Sequence, residues 1–211
     1  SQAERVRSLR PWFLVAAMIL TWLMGVRGVT TGCENTLFLR DGAMPDDVAA
    51  LEAARSTHDD RARSEYLAVI RTRAIAEHRD RTLPLAVGRT LLSLLLVLAS
   101  AMVLSGRAGA RSFAVQALSA NAVLSVVDYL LTKPVRAQWF DEWSRSGVLM
   151  DDPYVAPLIS PAALEWWSRL GLAFEAGIPL LALAAVLSRR SQTFFVAAVQ
   201  ADQGREREDE P

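Results

Sequence analysis

The chain has 211 residues, and its 23 basic and 23 acidic side chains cancel, so it offers no electrostatic footprint for nucleic acid. The charges are nearly absent from four windows and dense between them, a pattern that no single soluble core requires. Cys33 is the only cysteine and both histidines lie outside the apolar windows, which excludes an internal disulfide and a bis-histidine haem pair within the membrane.

The N-terminal tail, 1–10, carries Arg5, Arg7 and Arg10 and is predicted to be cytoplasmic. The charge-free run from Pro11 to Val26 makes about 24 Å of helix, and snorkelling of Arg27 extends the first span to 11–29. Val29-Thr-Thr-Gly-Cys33 loosely resembles the end of a lipoprotein signal, with Arg27 and Thr30 departing from that pattern. A retained first helix is the expectation, and lipidation of Cys33 the alternative.

Residues 30–82 are hydrophilic and predicted to be extracytoplasmic. Asp46 and Asp47 favour a helix start after Pro45, and Ala62, Tyr66, Ile70 and Ala74 recur at helical spacing. One long helix fits, as does a hairpin capped within Ser56–Asp60, with Pro84 bending the chain into span two. The segment is too small to bury a core alone, so it should pack on the second loop or on a partner. His58, Asp59, Asp60, Glu77, His78 and Asp80 invite a metal reading, yet neighbours in a helix face different directions and no histidines are four apart. A solvated charged face is expected instead, with no metal site and no cofactor.

Span two, 83–106, contains Arg89, and a short link, 107–111, makes it the antiparallel neighbour of span three, 112–132. Span three contains Asn121 and Asp128. In the second extracytoplasmic loop, 133–169, Val135, Trp139 and Trp143 share one helix face, which predicts an amphipathic helix along the interface. Ser160-Pro161 starts a helix that carries Trp166 and Trp167 into span four, 170–188, and these four tryptophans are read as an interfacial belt. The tail, 189–211, is predicted to be cytoplasmic, with a short surface helix around Phe194–Val199 followed by disorder.

Each span therefore holds one charge: Arg27, Arg89, Asp128 and Glu175. Counted from the cytoplasmic ends, the first three lie about 25 to 27 Å along their helices and Glu175 about 21 Å. Such groups cost several kcal/mol inside a bilayer unless paired, snorkelling or hydrated. They sit at the outer ends of small or polar stripes: Arg89, Ser93, Leu96, Ser100; Ala114, Ala117, Asn121, Ser125, Asp128; and Gly171, Glu175, Ile178, Ala182, Ala185. Pro179 has no N–H, so it kinks span four and frees the Glu175 carbonyl.

These features predict an all-α integral membrane four-helix bundle with a small extracytoplasmic helical region, both termini on the cytoplasmic side of the cell membrane. No family signature and no catalytic constellation is legible. The foremost reading is a non-catalytic accessory subunit whose Arg27 and Arg89 pair with Asp128 and Glu175. Its partners are the lipid bilayer and another membrane or extracytoplasmic protein, or a second copy. The alternative is a small transporter or channel with Glu175 as the proton- or ion-coupling residue.

Overall fold

The computed structural model describes residues 10–41, 49, 52, 60–107, 109–146 and 161–208. Among them all regular secondary structure is helical, in seven helices: α1 Trp12–Asp41, α2 Asp60–Glu77, α3 Arg79–Ser105, α4 Ala110–Leu131, α5 Lys133–Ser146, α6 Pro161–Leu187 and α7 Arg189–Glu208. Four of these, α1, α3, α4 and α6, are long and apolar enough to cross a membrane. The fold is an all-α membrane bundle with an additional helical region.

The chain divides into two compact units. The first takes Ser1–Cys33, Gly88–Val126 and Phe174–Pro211, and so includes parts of all four spans together with α7. Its core is built from Leu14 and Met18 of α1, Leu96, Ala99 and Val103 of α3, Ala114, Ala117 and Leu118 of α4, and Ala182 and Val186 of α6. Leu20, Leu23, Leu94, Leu98, Val123, Leu180 and Leu181 point outward instead. An apolar outer surface around a small-residue interior is the arrangement expected of helices packed in lipid.

α1 and α3 approach closely along a row of glycines. A Cβ at Gly25 would lie 2.9 Å from Val97 Cγ2 and 3.0 Å from the Ser93 carbonyl oxygen. At Gly28 it would run into the Ser93 side chain, and at Gly32 into Thr90 Oγ1. Gly28 and Gly32 form a G-x-x-x-G pair, the pattern that lets two membrane helices meet backbone to backbone. Glycine costs helix propensity, and here that cost purchases contact that no larger residue permits.

Helix ends follow local chemistry. Gly106 at φ 69° lets the Arg107 and Gly106 amides donate to the Met102 and Val103 carbonyls, a Schellman cap that closes α3. Gly109 at φ 77° completes the reversal into α4. α4 gives way to α5 at Thr132, and Pro134 falls in the first turn of α5, where its missing N–H has no helical partner to lose. At Ser188 the hydroxyl accepts from the Ser191 amide at 3.3 Å, capping α7. The α2–α3 break falls at His78 rather than at Pro84, and Thr82 Oγ1 reaches back to the Ile75 carbonyl at 3.0 Å.

Two elements extend beyond the sequence expectation. α1 continues as helix through Asp41, and the Thr30 and Thr31 hydroxyls bond within it to the Arg27 carbonyl. α7 is not a short surface helix: it runs to Glu208 and inserts Phe194, fully buried, and Phe195 into the bundle core. The Arg10 guanidinium lies 5.4 Å from the Phe194 ring centroid, a cation–π contact between the start of α1 and α7.

The second unit takes Glu34–Val87 and Val127–Ala173. Its small core joins Tyr66 and Ile70 of α2 to Trp143 of α5, with Leu67, Trp139 and Leu164 packed against them. The apolar face of α2 thus finds its cover on the second loop, and Glu77 of α2 accepts a hydrogen bond from the Gln138 amide of α5. The expected start near Pro45, the Ser56–Asp60 cap, His58 and Asp59 fall at or beyond the edge of the described residues, which begin again at Asp60.

Replacing Gly28 by Ala should separate α1 from α3 and lower bundle stability by about 1–3 kcal/mol, the usual cost of overpacking. Gly171→Ala, where an added Cβ meets open space, should leave the thermal midpoint unchanged or slightly raised. Melting both variants in the same detergent tests the contrast, and equal midpoints would remove the close-approach argument.

Gln138, and after it Arg73, holds the Glu77 carboxyl below its usual value of 4.5. Because the folded value is depressed, the contact stabilises α2–α5 packing fully above about pH 5, and that stabilisation disappears as pH falls through the lowered folded value. Hydrogen-exchange protection of α2 should therefore weaken below about pH 4, with part of the acid loss absent in Glu77→Gln.

Candidate functional site

The charged side chains of the spans resolve into different environments. Arg89 of α3 and Glu175 of α6 form an ion pair, Nη2 to Oε1, at 2.5 Å. Each side chain keeps roughly a third of its surface uncovered by the chain, 35% for Arg89 and 40% for Glu175. The pair is neither sequestered nor fully open, and what it offers its surroundings is a neutral, polar spot between two apolar helices.

Glu175 is positioned by Pro179, which is fully buried four residues further on. The carbonyl released by that proline is approached by the Ser125 hydroxyl of α4 at 3.5 Å, the same hydroxyl lying 3.1 Å from the Asn121 carbonyl. The shorter contact is the stronger hydrogen bond, and the longer one gives the kink a polar neighbour. Asn121 itself is 6% exposed, one turn from Ser125 on the small-residue face of α4.

This level of the bundle is closed on several sides. Gly88 of α3 brings Leu124 of α4 within 3.9 Å of its Cβ position, Ser125 of α4 meets the Glu175 backbone, and Glu175 meets Arg89. One residue beyond Arg89, Thr90 sits against Gly32 of α1. α1 and α4 thus make contacts next to the ion pair, at Thr90, Gly88 and the Glu175 backbone. Ser100, nearer the other end of α3, is fully buried, and its hydroxyl has no hydrogen-bond partner among the described residues.

The other predicted site residues have the following surroundings. Arg27 is exposed, does not join the Arg89–Glu175 pair, and contributes its carbonyl to Thr30 and Thr31. Asp128 belongs to the second unit, where its carbonyl accepts from the Thr132 hydroxyl at 2.6 Å. Arg136 donates to Thr132 Oγ1 at 2.8 Å and stacks 3.8 Å above the Tyr129 ring, locking the α4–α5 corner. Cys33 is exposed within the uninterrupted α1.

The four tryptophans divide into two pairs. Trp143 is buried against Tyr66 and Ile70, and Trp139 packs on the same cluster with Arg71 6.0 Å from its ring centroid. Trp166 and Trp167, at 70% and 57% exposure, remain on the surface of α6. The spacing of Val135, Trp139 and Trp143 predicts a helix face along the interface; in the structure Trp139 and Trp143 pack on the apolar face of α2 instead. On α6 the buried positions are Pro179, Ala182 and Val186, so the inward face is rotated from the expected stripe and Gly171 and Gly177 meet open space.

The glycine seam on α1 is not marked by any charge, and Gly28-x-x-x-Gly32 is its plain sequence signal. Phe194-Phe195 was seen as an apolar patch; that it enters the core depends on the tight Ser188 corner, for which Ser188-Arg-Arg-Ser191 was the available cue.

Neutralising one member of the ion pair should cost more than neutralising both. Arg89→Gln and Glu175→Gln are each expected to lower stability by about 1–3 kcal/mol, below the range for a fully buried pair because both groups are partly exposed. The double variant should lose less than the sum, and strict additivity in a double-mutant cycle would show that the contact carries no coupling.

No known protein-family model, curated protein or solved structure matches the chain.

Proposed function

We propose that the chain is a non-catalytic accessory subunit of a membrane assembly, its bundle serving as a rigid scaffold. The observation that carries this reading is the Arg89–Glu175 pair. The one deep acid is engaged by a cation at 2.5 Å, and its kinked backbone carbonyl has Ser125 beside it. A staple needs this arrangement, whereas an acid that loads and unloads a proton or ion needs a cheap unpaired state.

Further features agree with the reading. The α1–α3 glycine contacts support retention of the first helix as a structural member rather than its removal before a lipidated Cys33. Exposed Trp166 and Trp167 suit the rim of a lipid or protein contact. The partner is another membrane or extracytoplasmic protein, or a second copy. The Arg107/Arg111 link favours a cytoplasmic placement of that end in the cell membrane, with both termini on the same side.

Crosslinking in intact membranes followed by gentle extraction should recover a discrete complex, and a strictly monomeric chain would count against a subunit role. The alternative, transport coupled through Glu175, is tested on vesicles containing the pure protein. No proton or cation flux above the empty-vesicle rate is expected. A flux abolished by Glu175→Gln in a still-folded protein would replace the scaffold reading with the transporter.

A further inference from the structure

At the end of the bundle away from the ion pair the chain makes two tight corners, one between the end of α3 at Ser105 and the start of α4 at Ala110, the other between the end of α6 at Leu187 and the start of α7 at Arg189. The Gly106 and Gly109 turns compress the link between α3 and α4, so that Arg107 and Arg111 come to line one cavity of about 700 Å³. The Ser188 corner lays α7 along its other side, adding Gln192 and Val196. Val115 and Leu187, from the ends of two spans, supply apolar wall, and no acidic residue lines the cavity among the described residues.

We propose that this cavity holds one anionic phospholipid, its phosphate on Arg107 and Arg111 and the upper part of an acyl chain against Val115 and Leu187. The volume is in the range of small-molecule sites. The charged residues that line it among the described ones are Arg107 and Arg111, with Arg111 Nε buried and without a hydrogen-bond partner among the described residues. Guanidinium groups bind phosphate oxygens by paired hydrogen bonds, and the α4 N-terminus, which begins at Ala110, adds a favourable field. Apolar wall continuous with the spans distinguishes a lipid from free phosphate, which has no use for Val115 and Leu187. The position also fits, since the spans end here and a lipid phosphate lies at the level where spans leave the hydrocarbon. Exposed Trp12, at the start of α1, is a residue type that settles at the same boundary.

The full-length protein in detergent is titrated with phosphatidylglycerol, phosphatidylcholine or inorganic phosphate, and bound species are counted by native mass spectrometry. One phosphatidylglycerol per chain is expected to be retained over phosphatidylcholine. The Arg107→Gln/Arg111→Gln double variant should weaken it roughly thirtyfold, taking about 1 kcal/mol for each arginine near an anionic lipid surface. Arg189→Gln/Arg190→Gln, which alters nearby arginines outside the cavity lining, should leave binding unchanged. Val196→Trp, on an exposed position of α7, should fill the space and reduce binding with both arginines intact, so the proposal survives poor folding of the double variant. Equal retention of phosphatidylcholine, or equal binding of inorganic phosphate alone, would overturn it, as would unchanged binding in the folded cavity variants.

Discussion

An ion pair between two membrane helices is a constraint before it is a source of stability. A lone cation or carboxylate in the apolar region costs about 2.5–3.5 kcal/mol even by the milder insertion scales. Arg89 and Glu175 reduce each other's cost only while α3 and α6 keep one register. A slip of one turn, about 5.4 Å, would leave both charges without this partner. Helices that present similar leucine and alanine surfaces have few other means of choosing among registers, so this contact discriminates where apolar packing does not.

The glycine seam complements that constraint. Gly25, Gly28 and Gly32 bring α1 against Val97, Ser93 and Thr90 of α3, the helix that also carries Arg89. In lipid there is little hydrophobic gain from joining two helices, so close van der Waals packing has to hold them. α3 is therefore fixed on one side by shape and on another by charge. α4 joins through Leu124 at Gly88 and through the Ser125 hydroxyl at Glu175. The same level of the bundle thus combines a steric lock and a polar one, and each limits how far the other can relax.

The sequence made some of this legible for clear physical reasons. Spans follow from long apolar runs, and the inward faces of α3 and α4 follow from where Ser93, Ser100, Ala114, Ala117 and Asn121 fall on a helix. Glu175 stood out because Pro179 removes a hydrogen bond in a fixed place. Other features were illegible because they depend on what lies opposite. The partner of Trp143 was set by Tyr66 and Ile70, far away in the chain, and periodicity describes a face without saying what covers it. Choosing which cation meets Glu175 requires the rotation of α6, and small residues outline too broad a stripe to fix it: Gly171 is on the expected seam and touches nothing.

The pairing also bears on whether Glu175 suits ion coupling. A transported ion would have to share or displace the Arg89 guanidinium that already lies on the Glu175 carboxylate. Displacing it gives up the contact that fixes α3 and α6 in one register, so each loading event would also loosen the packing of two spans. Partial exposure of both side chains leaves water near the pair and eases that exchange without removing the need for it. Ser125 lies on the Glu175 backbone carbonyl rather than on the carboxylate, so it steadies the kink and not the exchange. The scaffold proposed for the bundle asks for none of this movement, and in that respect it is the simpler use of the contact.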